Sequence, residues 1–281
     1  FLAARYRQRH NADLAQSLGV EPDKQLTNRE ITDTIEEFAP LSLQESWDNS
    51  GWQLGDPDAT CTGVILCVDV TPDIIREAKE KGCNLIVSHH PLMFKGVKQI
   101  TGRDRVERSI ALAISDGIAV YSSHTATDCA PSGVSWEMGR RLGLTDMEGL
   151  DASGLGVIGD LPAALPWKEF VRLVKDSFGA DCVKCSRVPF DGLMVKSVGL
   201  CGGAAAEFIP LAIARGAQAY VTADCKLNQF IDHADDILLV DSGHFETEEC
   251  TKDVFYRVIS EKFPNFAVWK STVERNPVVY L

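Results

Sequence analysis

No apolar run in this 281-residue chain approaches the roughly 20 residues needed to span a bilayer. The N-terminus has neither the charged and apolar regions nor the cleavage pattern of a secretory signal. No membrane association and no export are expected. Basic residues are scarce: 28 Lys and Arg face 40 Asp and Glu, a formal charge of -12. That balance argues against nonspecific phosphate-backbone binding, and a DNA-binding regulator would need a basic stripe, so nucleic acid is a poor partner. There is no G-x-S-x-G and no Walker-type loop, which leaves covalent serine and P-loop chemistry without support. Cys182 and Cys185 form a C-x-x-C, but no second pair or downstream histidine pair completes a zinc knuckle.

The nine cysteines are scattered and odd in number, several within strand-like runs. They read as buried reduced thiols and place the protein in a reducing cytoplasm. With 45% hydrophobic and 24% charged residues, the chain can bury a substantial core, as two modest domains or one large α/β unit. Residues 1–25, with the basic RYRQRH start, read as an appendage to the fold.

Beyond the appendage, strands alternate with helices, so the class is α/β. Thr27 and Glu30 form a capping box, and Ile31, Ile35 and Phe38 recur at helical spacing until Pro40. Val64 to Val70 reads as a buried strand. Thr71 then caps a helix, Pro72 takes its first position and Gly82 ends it. Leu85 to Val87 begins a strand that delivers Ser88, His89 and His90 to its carboxyl end, where open α/β sheets place ligands. A helix from about Asp104 to Asp116 and a strand from Ile118 to Ser122 follow, and this strand presents His124. Later come a helix near Trp167 to Phe178, a strand from Val195 to Leu200, a helix ending at Gly216, and strands at Ala219 to Val221 and Ile237 to Val240. Val64 to His90 aligns without a gap on Val198 to Asp224, with identities that include Cys67/Cys201, Gly82/Gly216 and Val87/Val221. Two β-α-β units of common design are implied. In the second copy, Ala223 and Asp224 occupy the places of His89 and His90.

Only six histidines are present, and four fall in three short segments: SHHP (Ser88 to Pro91), HTATD (His124 to Asp128) and GHFETE (Gly243 to Glu248). Each pairs an imidazole with a second imidazole or a carboxylate, which is the composition of a metal site. Together they offer more ligands than one tetrahedral ion needs, so a two-metal centre is expected. Neighbours on a regular strand point to opposite faces, but Pro91 ends the strand and lets His89 and His90 serve one region. His124 could ligate, support a ligand or act on substrate, and spacing does not rank these. His244 and Glu248, four residues apart, share a face if a helix begins there. Gly154 to Gly159 matches G-x-G-x-x-G, but Asp160-Leu161-Pro162 follows where a helix would have to open, so no dinucleotide site is expected.

These three segments, with SWDNSGWQLGDP (Ser46 to Pro57) ahead of them, occur in the order seen in the Nif-three-like dinuclear-metal proteins, the GTP cyclohydrolase 1 type 2 homologues. The chain resembles that family from about Leu26 to its C-terminus. The resemblance implies two intertwined α/β domains arising by duplication, with mixed sheets flanked by helices: residues 26–125 plus 235–281, carrying most metal ligands, and residues 126–234. It implies two divalent ions per subunit, held by His89, His90, Asp128, His244 and Glu248, with Glu248 as a bridge. His124 and Asp48 would lie in support or toward substrate. It also implies a six-subunit ring with the sites facing an interior cavity. The stretch from Leu150 to Val195 is too short for the inserted domain of longer members. Many members carry Gly-Asp followed, four residues after the Asp, by a histidine. Here Ala223-Asp224 is followed by Asn228, so no substrate or supporting role is carried over to that segment.

The expected chemistry is metal-assisted hydrolysis of a nucleotide or phosphoester, as in GTP cyclohydrolase, with zinc, iron or manganese compatible with the ligand types. The alternative is a noncatalytic metal-binding ring, a scaffold, regulator or metallochaperone. Catalysis needs an open coordination position and scaffolding does not.

Overall fold

The computed structural model describes residues 25–188 and 190–281. The expected appendage at 1–25 therefore lies, except for Gln25, outside the described residues. The elements, in chain order, are α1 (Asn28–Phe38), β1 (Gly51–Leu54), β2 (Val64–Cys67), α2 (Pro72–Glu80), β3 (Leu85–Ser88), α3 (Arg105–Asp116), β4 (Ala119–Ser122), α4 (Thr125–Cys129) and α5 (Val134–Arg141). The second half comprises β5 (Thr145–Gly149), β6 (Val157–Pro166), α6 (Trp167–Ser177), β7 (Lys184–Cys185), β8 (Met194–Leu200), α7 (Ile209–Ala214), β9 (Ala219–Thr222), α8 (Leu227–Asp232), β10 (Leu238–Asp241), α9 (His244–Glu248), α10 (Thr251–Lys262) and β11 (Val268–Lys270).

Local signals set these boundaries. Thr27 and Glu30 close the reciprocal capping box at the start of α1. Asp104 caps α3 through the Glu107 amide, and Gly117 stops it in the left-handed region at φ 66°, a conformation that disfavours any side chain. Thr71 accepts from the Ile74 amide, with Pro72 opening α2.

Two mixed sheets result, ordered β1-β4-β3-β2-β11 and β5-β6-β8-β9-β10-β7. In the first, β2, β3 and β4 run parallel, and β1 lies antiparallel on β4. In the second, β8, β9 and β10 run parallel, and β7 lies antiparallel on β10. The duplication reaches the level of register. Val64 pairs with Leu85 in the first sheet, and the aligned residues Val198 and Ala219 pair in the second. The correspondence extends past the aligned stretch, because β4 leads after a short link into the five-residue α4 and β10 likewise into the five-residue α9. β10 pairs with β9, so residues 238–241 go with the second sheet, although the expected boundary put 235–281 with the first. The chain returns to the first sheet through α10 and β11, the latter parallel to β2.

Both faces of each sheet are covered, which is why the central strands read as unbroken apolar runs. In the first sheet Val64, Leu66, Leu85 and Val87 pack under Ile31 and Ile35 of α1 and Val254 and Phe255 of α10. Ile65 and Ile86 pack on the other face against Ile74, Ile75 and Ile110 of α2 and α3. Each such side chain, fully buried, contributes about 2 kcal/mol. Val198, Leu200, Val221 and Val240 form the matching core of the second sheet with Met138 and Phe170. In the G-x-G-x-x-G run Gly154 and Gly156 lead into β6 and Gly159 lies within it, a strand where a dinucleotide motif needs a helix. No helix among the described residues is long and apolar enough to cross a membrane.

Candidate metal centre

The carboxyl ends of the parallel strands in both sheets meet, and the histidines lie there. His89 and His90 follow β3, His124 follows β4, and His244 opens α9 after β10. Ring centroids are 5.0 Å apart for His89 and His90, 5.1 Å for His89 and His124, 5.3 Å for His90 and His124, and 5.5 Å for His90 and His244. Four side chains from three sequence segments thus converge across the junction of the sheets.

Each imidazole is anchored through the same atom. His89 Nδ1 lies 3.3 Å from the Ser123 carbonyl, His90 Nδ1 3.1 Å from Asp69 Oδ2, His124 Nδ1 2.9 Å from Asp48 Oδ1, and His244 Nδ1 2.7 Å from Asp224 Oδ2. A carbonyl or carboxylate oxygen accepts, so in each pair the Nδ1–H donates. The four Nε2 atoms are left as the free nitrogens, the arrangement by which supporting carboxylates orient metal-binding histidines.

Glu248 lies among these nitrogens. Its Oε2 is 2.9 Å from His90 Nε2 and 3.1 Å from His244 Nε2, and its Oε1 is 3.6 Å from His89 Nε2. Glu248 Oε2 and His89 Nε2 are nevertheless buried without a hydrogen bond of good geometry among the described residues. Buried polar atoms rarely stay unpaired unless an ion or water completes them. One ligand atom each from His89, His90 and His124 lie within 4.8 Å of one another, and so do atoms from His90, His244 and Glu248. The two groups share His90. Donors of this type at this spacing fit a metal cation. Asp128 stands outside both groups, with its Oδ1 3.7 Å from His89 Nε2.

The electrostatics agree. Burial works against charging His90, but Asp69 and Glu248 outweigh it and push its pKa up to about 10. Burial is likewise outweighed at His244, raised to about 9 by Glu248 and Asp224, and at His89, raised by Asp128 and Glu248. Glu248 is held well below the usual carboxylate range because the surrounding imidazoles overcome its burial. Burial dominates at Asp128 and raises it. The cluster attracts positive charge strongly enough to hold protons where a cation could lie.

One turn builds much of the surrounding wall. The Glu45 amide donates to Thr125 Oγ1, and the Asp48 amide to the Glu45 carbonyl. Asp48 then turns inward to His124 and Thr125, while the Trp47 ring stands edge-on 5.9 Å from the His124 ring. The site opens into a cavity of about 440 Å³. A larger cavity of about 790 Å³, between Cys185 and Phe230, holds none of the expected site residues.

The structure thus brings His89, His90, His124, His244, Asp128, Glu248 and Asp48 together. It corrects one expectation: the Ala223-Asp224 segment does support the site, since Asp224 holds His244. Sequence reasoning also missed Asp69, which holds His90, and Gly203. At Gly203, φ is +66° and a Cβ would overlap Glu248 Oε1. The internal repeat carried a signal for this pair, because Asp69 and Gly203 are aligned positions.

A Clostridium acetobutylicum protein named GTP cyclohydrolase 1 type 2 homolog is 31% identical over 229 residues, covering 78% of this chain and 84% of its own. A Lactococcus lactis protein of the same name is 30% identical over 251 residues, covering 86% and 95%. Among solved structures, a Bacillus cereus protein related to NIF3 superposes with a TM-score of 0.86 at 22% identity, covering 92% of this chain and all of that one. The likeness to that structure is one of fold. The family described as Duf34/NIF3 (NGG1p interacting factor 3) matches residues 26–277, a span that takes in both sheets and every histidine of the centre, and the chain belongs to it.

Proposed function

We propose that this protein is a dinuclear metal-dependent hydrolase acting on a nucleotide or phosphoester, the nucleotide being what the name GTP cyclohydrolase 1 type 2 homolog of its relatives suggests. His89, His90, His124 and His244, with Asp128 and Glu248, would hold two ions of zinc, iron or manganese, imidazole and carboxylate ligands suiting all three. The observation that carries the reading is the set of four Nδ1-anchored imidazoles together with Glu248, whose buried Oε2 lies 2.9 Å from His90 Nε2 and 3.1 Å from His244 Nε2 yet has no hydrogen bond of good geometry among the described residues. Bound divalent ions would supply Lewis acidity and a water ionised near neutral pH. The chain's own residues then orient the centre: Asp48, Asp69 and Asp224 fix three rings, and Glu248 reaches imidazoles from both sheets.

Metal analysis of protein purified without added metal, followed by a nucleotide and phosphoester panel on wild type and His244→Ala, tests the proposal. Loss of both metal and turnover in the variant is the expected result. Metal retained with no turnover of any panel member would instead leave a noncatalytic scaffold. The nine unpaired cysteines, seven of them buried, support a reducing cytoplasm. We also propose the six-subunit ring, on the family resemblance; light scattering should give a mass six times that of the chain.

A further inference from the structure

Aromatic rings and carboxylates stand in the lining of the cavity over the centre, and among the described residues that line it there is no Lys or Arg. Trp47 and Phe94 stand 5.8 Å apart at its mouth, and both lie within ring-contact distance of His124, at 5.9 Å and 6.2 Å. They are 57% and 48% exposed, large apolar faces that the fold leaves uncovered and that suit a stacked ring. Phe208, Glu45 and Glu207 line the same cavity, Glu45 half-buried and Glu207 exposed. Asp128 and Glu248, which also line it, belong to the metal centre. Lysines do lie nearby, but Lys95 and Lys98 line a different cavity that shares only Phe94 with this one.

We infer that the pocket takes a flat nitrogen heterocycle with hydrogen-bond donors on its outer edge, and that its wall selects against a polyphosphate tail. This deepens the hydrolase reading and rests on it for the reaction at the metal end. A planar ring stacks on Trp47 and Phe94. An amidine-like edge, with adjacent N–H groups, donates to the carboxylate of Glu45 or Glu207, which can only accept when ionised. A single anionic group could be met by the ions themselves, but a chain of phosphates running outward would face Glu45 and Glu207 with no Lys or Arg among the described lining residues to offset them. Two parts of a nucleotide that the relatives' name joins are thereby separated: the base fits this wall and the triphosphate does not.

The Glu45–Trp47 turn is the device that builds the pocket. The hydrogen bonds from the Glu45 amide to Thr125 and from His124 to Asp48 fix both ends of the turn, so Trp47 and Glu45 are displayed from a segment tied to the metal centre.

The test is equilibrium binding to the metal-loaded, full-length protein, followed by calorimetry, with guanosine and GTP as probes. Guanosine should bind about tenfold or more tightly than GTP, and Trp47→Ala should weaken guanosine about tenfold while Trp47→Phe restores most of it. Trp47 is largely exposed, so these variants should fold; thermal unfolding is the check. The double variant Glu45→Gln, Glu207→Gln should narrow the guanosine-to-GTP ratio by strengthening GTP. The inference is overturned if GTP binds as tightly as guanosine, if Trp47→Ala leaves guanosine binding unchanged, or if the glutamine variants leave the ratio unmoved. Because binding is read without turnover, a correct preference with no hydrolysis would sink the enzyme reading alone, and turnover without the preference would sink this inference alone.

Discussion

Asp69 and Asp224 hold His90 and His244 through Nδ1, and their removal frees two rings to rotate and take the wrong tautomer. Asp69→Ala and Asp224→Ala should each lower metal affinity by about 10–100-fold while leaving the fold intact, measured by competition with a chromogenic chelator. An affinity unchanged in both would mean that neither carboxylate supports a ligand. Gly203→Ala should be more damaging, because the new Cβ meets Glu248 Oε1 on a backbone at φ +66°. A left-handed alanine costs about 1–2 kcal/mol, and displacement of Glu248 adds loss of metal; thermal unfolding and metal content read the two effects separately. The histidines and Glu248 were legible in the sequence because ligand chemistry marks them by type. Asp69 and Gly203 were not, since an aspartate after a strand and a glycine in a loop are ordinary until the geometry shows which neighbour each one serves. Asp224 lay in the open as the counterpart of His90, but a pattern based on a histidine four residues later hid its role.

At the scale of elements, the sequence read best where caps and apolar runs were clean. α1 and the α2–β3 unit fall where Thr27, Thr71, Pro72 and Gly82 put them. β6 escaped because Pro162 interrupts it, and the pairing with β8 shifts between Asp160 and Leu165 to accommodate this. β1 escaped because four residues on a sheet edge carry little periodicity. β11 is shorter still, at three residues, and the Ser271-Thr272 segment beyond it is held by one buried acid on α2. Glu77 accepts from the Ser271 hydroxyl at 2.6 Å and from the Thr272 amide at 2.9 Å. Burial raises the Glu77 pKa, but these hydrogen bonds outweigh it and the net direction is down. A carboxyl lowered in the folded state contributes stability above its unfolded pKa, and the contribution is lost as pH falls through the folded value. Glu77→Gln should therefore destabilise the protein by about 2 kcal/mol at neutral pH, with the gap from wild type closing below about pH 4.5. Denaturant titrations across pH would show it, and a gap that stays constant into acid would remove Glu77 as its source.

For the molecule as a whole, the centre joins two sheets that otherwise keep separate cores. His89, His90 and His124 follow strands of the first sheet, and His244 and Glu248 begin and end α9, which follows β10 of the second. A cation bound by both sets is held only when the sheets are docked, so it binds the native state and not the unfolded chain. The stabilisation follows from mass action: with free metal at about a thousand times the dissociation constant it is about 4 kcal/mol. In a chain of this size each kcal/mol moves the midpoint by about 2–4 °C. Chelation should therefore lower Tm by about 10 °C, and readdition of zinc or manganese should restore it. His244→Ala, which cuts the second sheet's share of the ligands, should melt near the chelated wild type and gain little from added metal. The mixed origin of the ligands makes this informative, because a centre confined to one sheet would protect only that half. Hydrogen exchange separates the cases: metal should slow exchange in β3 and β10 together, and protection of β3 alone would show that the ion does not tie the sheets.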